Sequence, residues 1–335
     1  MKKFLLRLII FLLPLLLYEA VFIMYEPYNY FGVQKAAFEQ STALDKLRGC
    51  RREKYDYFLF GDSRSAYLNM DYVEKLTGHV YLNTAFGGAS LEERMDLFDY
   101  MMAHQKRIKK VIFQIDWWTF NKNYSLDRVK DLEEIAGNPF AFIFNLEYNK
   151  ATVRRFKKLM KDPAAEAISY AVPSGVDKQT RQQHFEEYIQ TLLPGTQKFQ
   201  LDREALSRLC GIARHCRDNG IELLFVAPPS HDSTWKQLVE PYKILQAMEV
   251  YKSVLSQYAP VYDFEFPSEY SNQDDQYRDG FHLEGMSPLQ RHYDDHFRAY
   301  FPILAEYMDV IFSEVGVQGN PNVRLWRDGA IVSAG

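Results

Sequence analysis

The sequence predicts an α/β fold, a three-layer sandwich around a mostly parallel sheet of five strands, preceded by a transmembrane helix at the N-terminus. Three observations carry this expectation. Short apolar runs bounded by turn residues recur along the chain, helical patterns fill the intervals between them, and the first residues form an apolar stretch with a basic flank.

The expected strands are Tyr57–Phe60, Val80–Asn83, Val111–Ile115, Glu222–Ala227 and Val261–Phe264. These runs are largely continuous in apolar character, as strands covered on both faces require. Between them, Leu91–Gln105 carries Met95, Leu97, Phe98, Met101 and Met102, and its acidic first turn after Ser90 is a helix start signal. Asp202–Asn219 ends at Asn219-Gly220, a fitting C-cap. Trp235–Tyr258 and Pro288–Met308 are further helical stretches, interrupted by Pro241 and Pro302. Strands alternating with helices imply right-handed crossovers, and such sheets bind ligands at the carboxyl ends of their strands.

Between Phe120 and Gln200 the alternation breaks. Lys122–Val129 is polar, Ala141–Tyr148 is rich in aromatics, and Arg154–Lys161 is basic, with a loop at Pro173-Ser-Gly175. Apolar residues persist throughout, so the segment reads as a mostly helical insertion or lid rather than a disordered linker. The tail after Val315 reads as an irregular extension. The expected organisation is therefore an anchor over residues 1–26, a juxtamembrane segment over 27–53, a domain over 54–310 with its insertion at about 120–200, and an extension over 311–335.

Met1-Lys2-Lys3 leads into Phe4–Leu17, in which Arg7 is the only charge, and the apolar character continues through Val21–Met24. About 20 helical residues suffice to cross a bilayer core. Arg7 can snorkel to the near interface, whereas Glu19 must lie near the opposite one or face protein. Lys2, Lys3 and Arg7 favour a cytoplasmic N-terminus and so an extracytoplasmic body at the cell membrane. A cleaved signal peptide is the rival, but Tyr18-Glu-Ala-Val-Phe is a poor cleavage site.

Composition excludes several classes. Of 335 residues 47% are hydrophobic, ample for a large core, and the net charge of −4 comes with no basic stripe that would suggest nucleic acid. Three cysteines, Cys50, Cys210 and Cys216, are an odd number, and the last two do not share a helix face; no zinc-type spacing occurs and no cofactor or metal is expected.

Chemistry concentrates in two places. Tyr57–Phe60 runs into Gly61-Asp62-Ser63, and far downstream comes Asp279-Gly-Phe-His282. A serine, a histidine and an aspartate are the parts of a nucleophile, a general base and the group that orients the base. With these blocks the chain resembles the SGNH (GDSL-type) hydrolase superfamily, and the resemblance implies a flavodoxin-like sheet. It implies Ser63 as nucleophile, His282 as base and Asp279 as its partner. It also implies an oxyanion hole from the backbone N–H groups of Ser63 and of Gly87 or Gly88, in Asn83–Ser90. The third block normally supplies an asparagine after the third strand; this chain has Asp116-Trp117-Trp118 there and no asparagine until Asn121. One such donor is commonly worth about 2.7–4 kcal/mol in the transition state.

Other residues at strand ends are candidates for substrate binding, each with a plainer alternative. Asp116 could position an acceptor hydroxyl or cap a turn. Trp117, Trp118 and Trp235 could stack on sugar rings or fill the core. His231, after Pro228-Pro229, could line the pocket or sit in a surface loop. Arg64 could bind an anion or brace the insertion. Anchor and blocks together resemble membrane-tethered proteins of teichoic-acid D-alanylation and exopolysaccharide O-acetylation. That implies transfer of a short acyl group, acetyl foremost, to hydroxyls of a cell-surface polysaccharide, with a multipass membrane-bound O-acyltransferase as partner. A surface esterase acting on glycans or lipids, and a non-catalytic scaffold of a glycan-export complex, are the alternatives.

Overall fold

A computed structural model of the chain describes residues 2–33, 42–52, 54–167, 169–287 and 290–333. Its strands are β1 (Tyr57–Phe60), β2 (Tyr81–Asn83), β3 (Lys110–Gln114), β4 (Ser169–Tyr170), β5 (Glu222–Ala227), β6 (Val261–Asp263), β7 (Gln290–His292), β8 (Arg324–Arg327) and β9 (Ala330–Ser333). Seven of them form the main sheet in the order β2-β1-β3-β5-β6-β8-β9, while β4 and β7 pair apart. The five strands expected from the sequence are there and run parallel, with Phe58 beside Val111 and Val111 beside Leu223.

Burial on both faces explains why these strands read as continuous apolar runs. Phe58, Phe60, Val111, Phe113 and Phe225 point into one core, where helices Leu91–His104, Arg203–Asp218 and Leu245–Leu255 pack. Leu59, Ile112, Leu224, Val226 and Tyr262 point into the other, covered by helices Met70–Thr77 and Pro302–Ser313. The acidic start of Leu91–His104 is a full capping box. Ser90 Oγ accepts from the Glu93 N–H and the Glu93 carboxylate accepts from the Ser90 N–H.

The sheet is mixed, which corrects the five-stranded expectation. β8 runs antiparallel to β6, and β9 antiparallel to β8. The expected irregular tail therefore contributes a hairpin to the sheet. Its two-residue turn, Asp328-Gly329, has both φ angles positive, at 51° and 83°, as a tight hairpin requires. Trp326 secures it by donating its indole N–H to Asp263 at 3.1 Å.

Two helical stretches are also shorter than the sequence suggested. Trp235–Tyr258 breaks around Pro241 into a π-turn at Trp235–Val239 and a helix at Leu245–Leu255. In Pro288–Met308, the first two residues lie outside the described set and β7 follows; helix begins at Phe297 and again at Pro302. Pro302 occupies the first turn, where its missing N–H costs nothing.

The insertion is mostly helical, with helices Val129–Gly137, Pro139–Ile143, Leu146–Lys161 and Lys178–Thr196. The N-terminal helix spans Lys2–Tyr25, and its last two turns pack on the insertion through Tyr18, Phe22 and Tyr25. Among the described residues no helix is long and apolar enough to cross a membrane; the side chains of Leu5, Leu6 and Leu8 lie outside that set.

If the C-terminal hairpin is integral to the domain, Trp326→Ala should cost about 3–5 kcal/mol, read from urea unfolding. A shift under a tenth of that would mean the hairpin merely decorates the sheet edge.

Candidate active site

Gly61 follows β1, and nothing larger fits: an added Cβ would lie 2.6 Å from Gln114 Oε1 and 2.8 Å from Ser65 Cβ. The chain then turns at Asp62, which caps the short helix Ser63–Ala66 by accepting from the Arg64 N–H at 2.9 Å. This turn leaves Ser63 partly exposed at the carboxyl end of the sheet while its neighbours on both sides are buried.

The second half of the site is a closed loop. Tyr277 and Leu283 form a bridge, and the Arg278 N–H donates to the His282 carbonyl at 2.9 Å. Within the loop, Asp279 Oδ1 accepts from the N–H groups of Phe281 and His282, both at 2.8 Å. Gly280 lets the loop seat against its neighbours, since a Cβ there would lie 2.7 Å from Thr234 Oγ1. The Gly280 carbonyl accepts from Thr234 Oγ1 at 2.7 Å and from the His231 N–H at 3.0 Å.

The structure brings Ser63, His282 and Asp279 into one line. Ser63 Oγ lies 2.7 Å from His282 Nε2, and His282 Nδ1 lies 2.9 and 3.0 Å from the two Asp279 oxygens. Burial alone would raise the Asp279 pKa. Hydrogen bonds from the imidazole and from two backbone N–H groups outweigh it, so the carboxyl is held below its ordinary value and stays anionic. An anionic Asp279 places the proton on Nδ1 and leaves Nε2 able to accept one from Ser63.

Gly87 and Gly88 form the tip of a turn closed by the Ala89 N–H to the Phe86 carbonyl, with Gly88 at φ +62°. The Gly88 carbonyl accepts from Tyr124 Oη and from Arg128 Nη2, both at 2.8 Å. Arg128 Nη1 also reaches the Gly87 carbonyl at 3.4 Å, which turns the Gly88 N–H of the same planar peptide the opposite way. Among the described residues the N–H groups of Ser63, Gly87 and Gly88 donate to no acceptor.

Several expected substrate contacts are instead structural. Arg64 is only 2% exposed; it bonds to Asp116 at 2.7 Å, lies 3.4 Å from Asp62, and packs on the Phe281 ring. Asp116 is fully buried and also caps its own turn through the Thr119 N–H. Trp117 and Trp235 are core residues, and Trp118 packs edge-on to Trp117 and close over Gly195. His231 is buried between Phe185 and Tyr277 and bonds to Ser233 and Asp274, so it braces the Gly280 loop. Asn121, the first asparagine after β3, donates to the Gly195 carbonyl and accepts from the Gln200 N–H at the root of the insertion. Strand-end position predicted the neighbourhood of these residues but not which way they point.

The residue that sequence reasoning missed is Tyr188. It lies on helix Lys178–Thr196 of the insertion, its ring edge-on to His282 at 5.5 Å and tilted against Phe281 at 5.7 Å. Burial, with Asp279 nearby, holds its phenol above the ordinary pKa, so it remains a neutral donor. With His184, Glu187, Thr191, Arg278 and Asp279 it lines an open cleft of about 390 Å³. Its signal was faint, one of two aromatics, with Phe185, in a largely polar helix. Among the described residues no group of His, Cys, Asp or Glu could hold a metal ion, and all three cysteines are buried and free.

No family model matches the chain, and no curated protein does. Among solved structures it is similar to a Streptococcus pneumonia protein provisionally described as a platelet activating factor. The identity is 12%, with 81% of this chain and 92% of that one covered and a TM-score of 0.39. A Bacteroides fragilis protein provisionally described as an acylhydrolase is similar at 10% identity, covering 76% and 87%, with a TM-score of 0.32. Likeness at this level assigns neither family nor activity. The case for a function rests on the geometry of Ser63, His282 and Asp279.

The buried ion cluster behind Ser63 generates two expectations. Removing one partner strands a charge, so Arg64→Ala should cost about 3–5 kcal/mol by urea unfolding. Arg64→Leu combined with Asp116→Leu should cost less than the sum of the single changes, and strict additivity would show the pair to be uncoupled. Farther along, burial pushes the Glu265 carboxyl up to about 7 despite Lys252 at 3.4 Å. Between the unfolded carboxyl pKa of about 4.3 and that value, the folded chain holds a proton the unfolded chain has released. Stability from this group is thus present below the window and lost as pH rises through it. Thermal melts across pH 4–8 should show Glu265→Gln losing less stability with rising pH than the parent.

Proposed function

We propose that this chain is a serine-dependent acyl-transfer enzyme with Ser63 as nucleophile. The observation that carries the proposal is the 2.7 Å approach of Ser63 Oγ to His282 Nε2, with Asp279 behind the imidazole. Ser63 Oγ attacks the carbonyl carbon of an acyl donor and passes its proton to His282 Nε2. The tetrahedral oxyanion accepts from the N–H groups of Ser63 and of Gly87 or Gly88. It collapses as the bond to the donor's leaving oxygen or sulfur breaks, and His282 returns the proton to that group. An acceptor hydroxyl then gives its proton to His282 and takes the acyl group from Ser63; as the acyl–Oγ bond breaks, His282 returns that proton to Ser63 Oγ.

Transfer to a polyhydroxyl acceptor is the finer reading. The cleft beside Asp279 offers Arg278, Glu187, Thr191 and His184 as polar contacts and Tyr188 as an aromatic face, a lining suited to a sugar chain rather than to a lipid tail. We assign the acyl group as short, acetyl foremost, and the acceptor as a cell-surface polysaccharide. The apolar sequence of Lys2–Tyr25 supports anchorage at the membrane with the domain outside. Tethering there would concentrate the enzyme beside a multipass membrane-bound O-acyltransferase that delivers the acyl group.

The purified chain, given an activated acetyl ester, should form an acetyl-serine detectable by mass spectrometry at Ser63. Ser63→Ala should lower turnover by at least about 10³-fold. Adding oligosaccharide should divert product from free acetate to acetylated sugar. Free acetate unaffected by acceptor points to an esterase, and unchanged surface acylation in cells carrying Ser63→Ala points to a scaffold.

A further inference from the structure

The N-terminal helix and the insertion share an unpartnered apolar surface. Along the helix, Ile9, Ile10, Phe11, Leu13 and Leu15–Leu17 are all exposed and Leu12 is half-buried, whereas Tyr18 bonds to the insertion. From there Tyr18 Oη donates to Asn149 Oδ1, Phe22 packs on Phe142 at 5.5 Å, and Tyr25 packs on Phe156 at 5.0 Å. Tyr18 meets Asn149 and Tyr25 meets Phe156, so the N-terminal helix and helix Leu146–Lys161 run side by side in the same direction. The start of the insertion helix thus faces the way the free apolar segment projects. At that start, Phe140, Phe144 and Leu146 are 69%, 74% and 66% exposed, and the two phenylalanine rings stack on each other.

Length decides what this surface is for. The free segment Phe4–Leu17 measures about 21 Å at 1.5 Å per residue, whereas a bilayer core is about 30 Å thick. The shortfall of about 9 Å equals roughly six residues and falls within Tyr18–Tyr25, the stretch that packs on the insertion. A helix held this way can cross only if the adjoining part of the insertion enters the membrane with it.

We propose that the tip formed by Phe140, Phe144 and Leu146 is a membrane-docking surface that inserts among the lipids of the outer leaflet beside the N-terminal helix. This rests on the anchoring reading above. The offset that pairs Tyr18 with Asn149 and Tyr25 with Phe156 puts Leu146 level with Leu15, so the tip enters the lipids alongside the free part of the helix and sets the domain at a fixed height and tilt. Apolar and aromatic side chains are the groups that partition into this zone. A bilayer, rather than a protein groove, fits a surface that continues onto a helix whose described side chains from Ile9 to Leu17 are exposed apart from half-buried Leu12.

The test uses the full chain reconstituted in vesicles of phosphatidylcholine and phosphatidylglycerol. Nitroxide labels are placed singly at Phe144→Cys, Leu13→Cys and Val315→Cys, the native cysteines being buried. Power saturation compares collision with oxygen, which favours lipid, and with a water-soluble nickel chelate. The expected result is oxygen-favoured collision at positions 13 and 144 and nickel-favoured collision at 315. Lipid exposure at 13 with water exposure at 144 overturns the docking surface and leaves the anchor standing. Lipid exposure at 144 without 13 upholds the surface and removes the anchor, and water exposure at both removes both.

Discussion

The nucleophile turn depends on one buried carboxylate. Asp62 caps the helix that presents Ser63, and it can do so only because Arg94 at 3.0 Å, Gln114 at 2.8 Å and Arg64 satisfy its remaining lone pairs. Burial alone would raise its pKa; the two guanidinium groups outweigh that and hold it well below the usual carboxylate range. Arg94 is the connector. It also donates to the Gln114 carbonyl at the end of β3 and to the Ala89 carbonyl after the glycine turn, so one side chain joins the ends of three strand loops. The distance from Ser63 to the candidate oxyanion donors is therefore set by a rigid ionic joint rather than by loop preference.

The imidazole arrives from the opposite side and is held differently. Its loop is clamped from below by Thr234 and His231 on Gly280, and from above by the insertion. Arg181 of helix Lys178–Thr196 bonds to Glu284 at 2.6 Å and to the Tyr277 carbonyl, and Ser174 bonds to Glu284 at 2.8 Å. The same helix carries Tyr188 to the face of His282. The insertion thus positions the candidate base as well as bordering the cleft, and any motion of that helix would be felt at His282.

How much of this was legible followed the range of the interactions. Strand runs could be read because both faces of the sheet are covered, and Gly61-Asp62-Ser63 and Asp279-Gly-Phe-His282 could be read because each is a local turn with its own chemistry. The hairpin at Arg324–Ser333 was missed: Asp328-Gly329 between two apolar runs is a turn signal, but the glycine-rich segment just before it made the tail read as irregular. Orientation was the part that sequence did not contain. Asp116 and Arg64 sit where substrate contacts are expected, yet each finds the other across the interior, a pairing fixed by β1 lying next to β3. Tyr188 was hidden for the same reason, since its place beside His282 depends on how the insertion folds back.

The acid that follows β3, where the resemblance led to the expectation of an asparagine, has a structural role. The position is filled by a buried acid whose charge is absorbed by Arg64 and Arg94 at 2.7 and 3.5 Å, so Asp116 serves the joint behind Ser63 and offers nothing to an oxyanion. On the proposed chemistry, backbone N–H groups alone would hold the developing charge. A site with fewer donors is slow toward stable esters but adequate for an activated donor delivered at high local concentration. On that proposed chemistry, the balance suits an enzyme supplied with an activated acyl donor better than an esterase meeting dilute, stable esters.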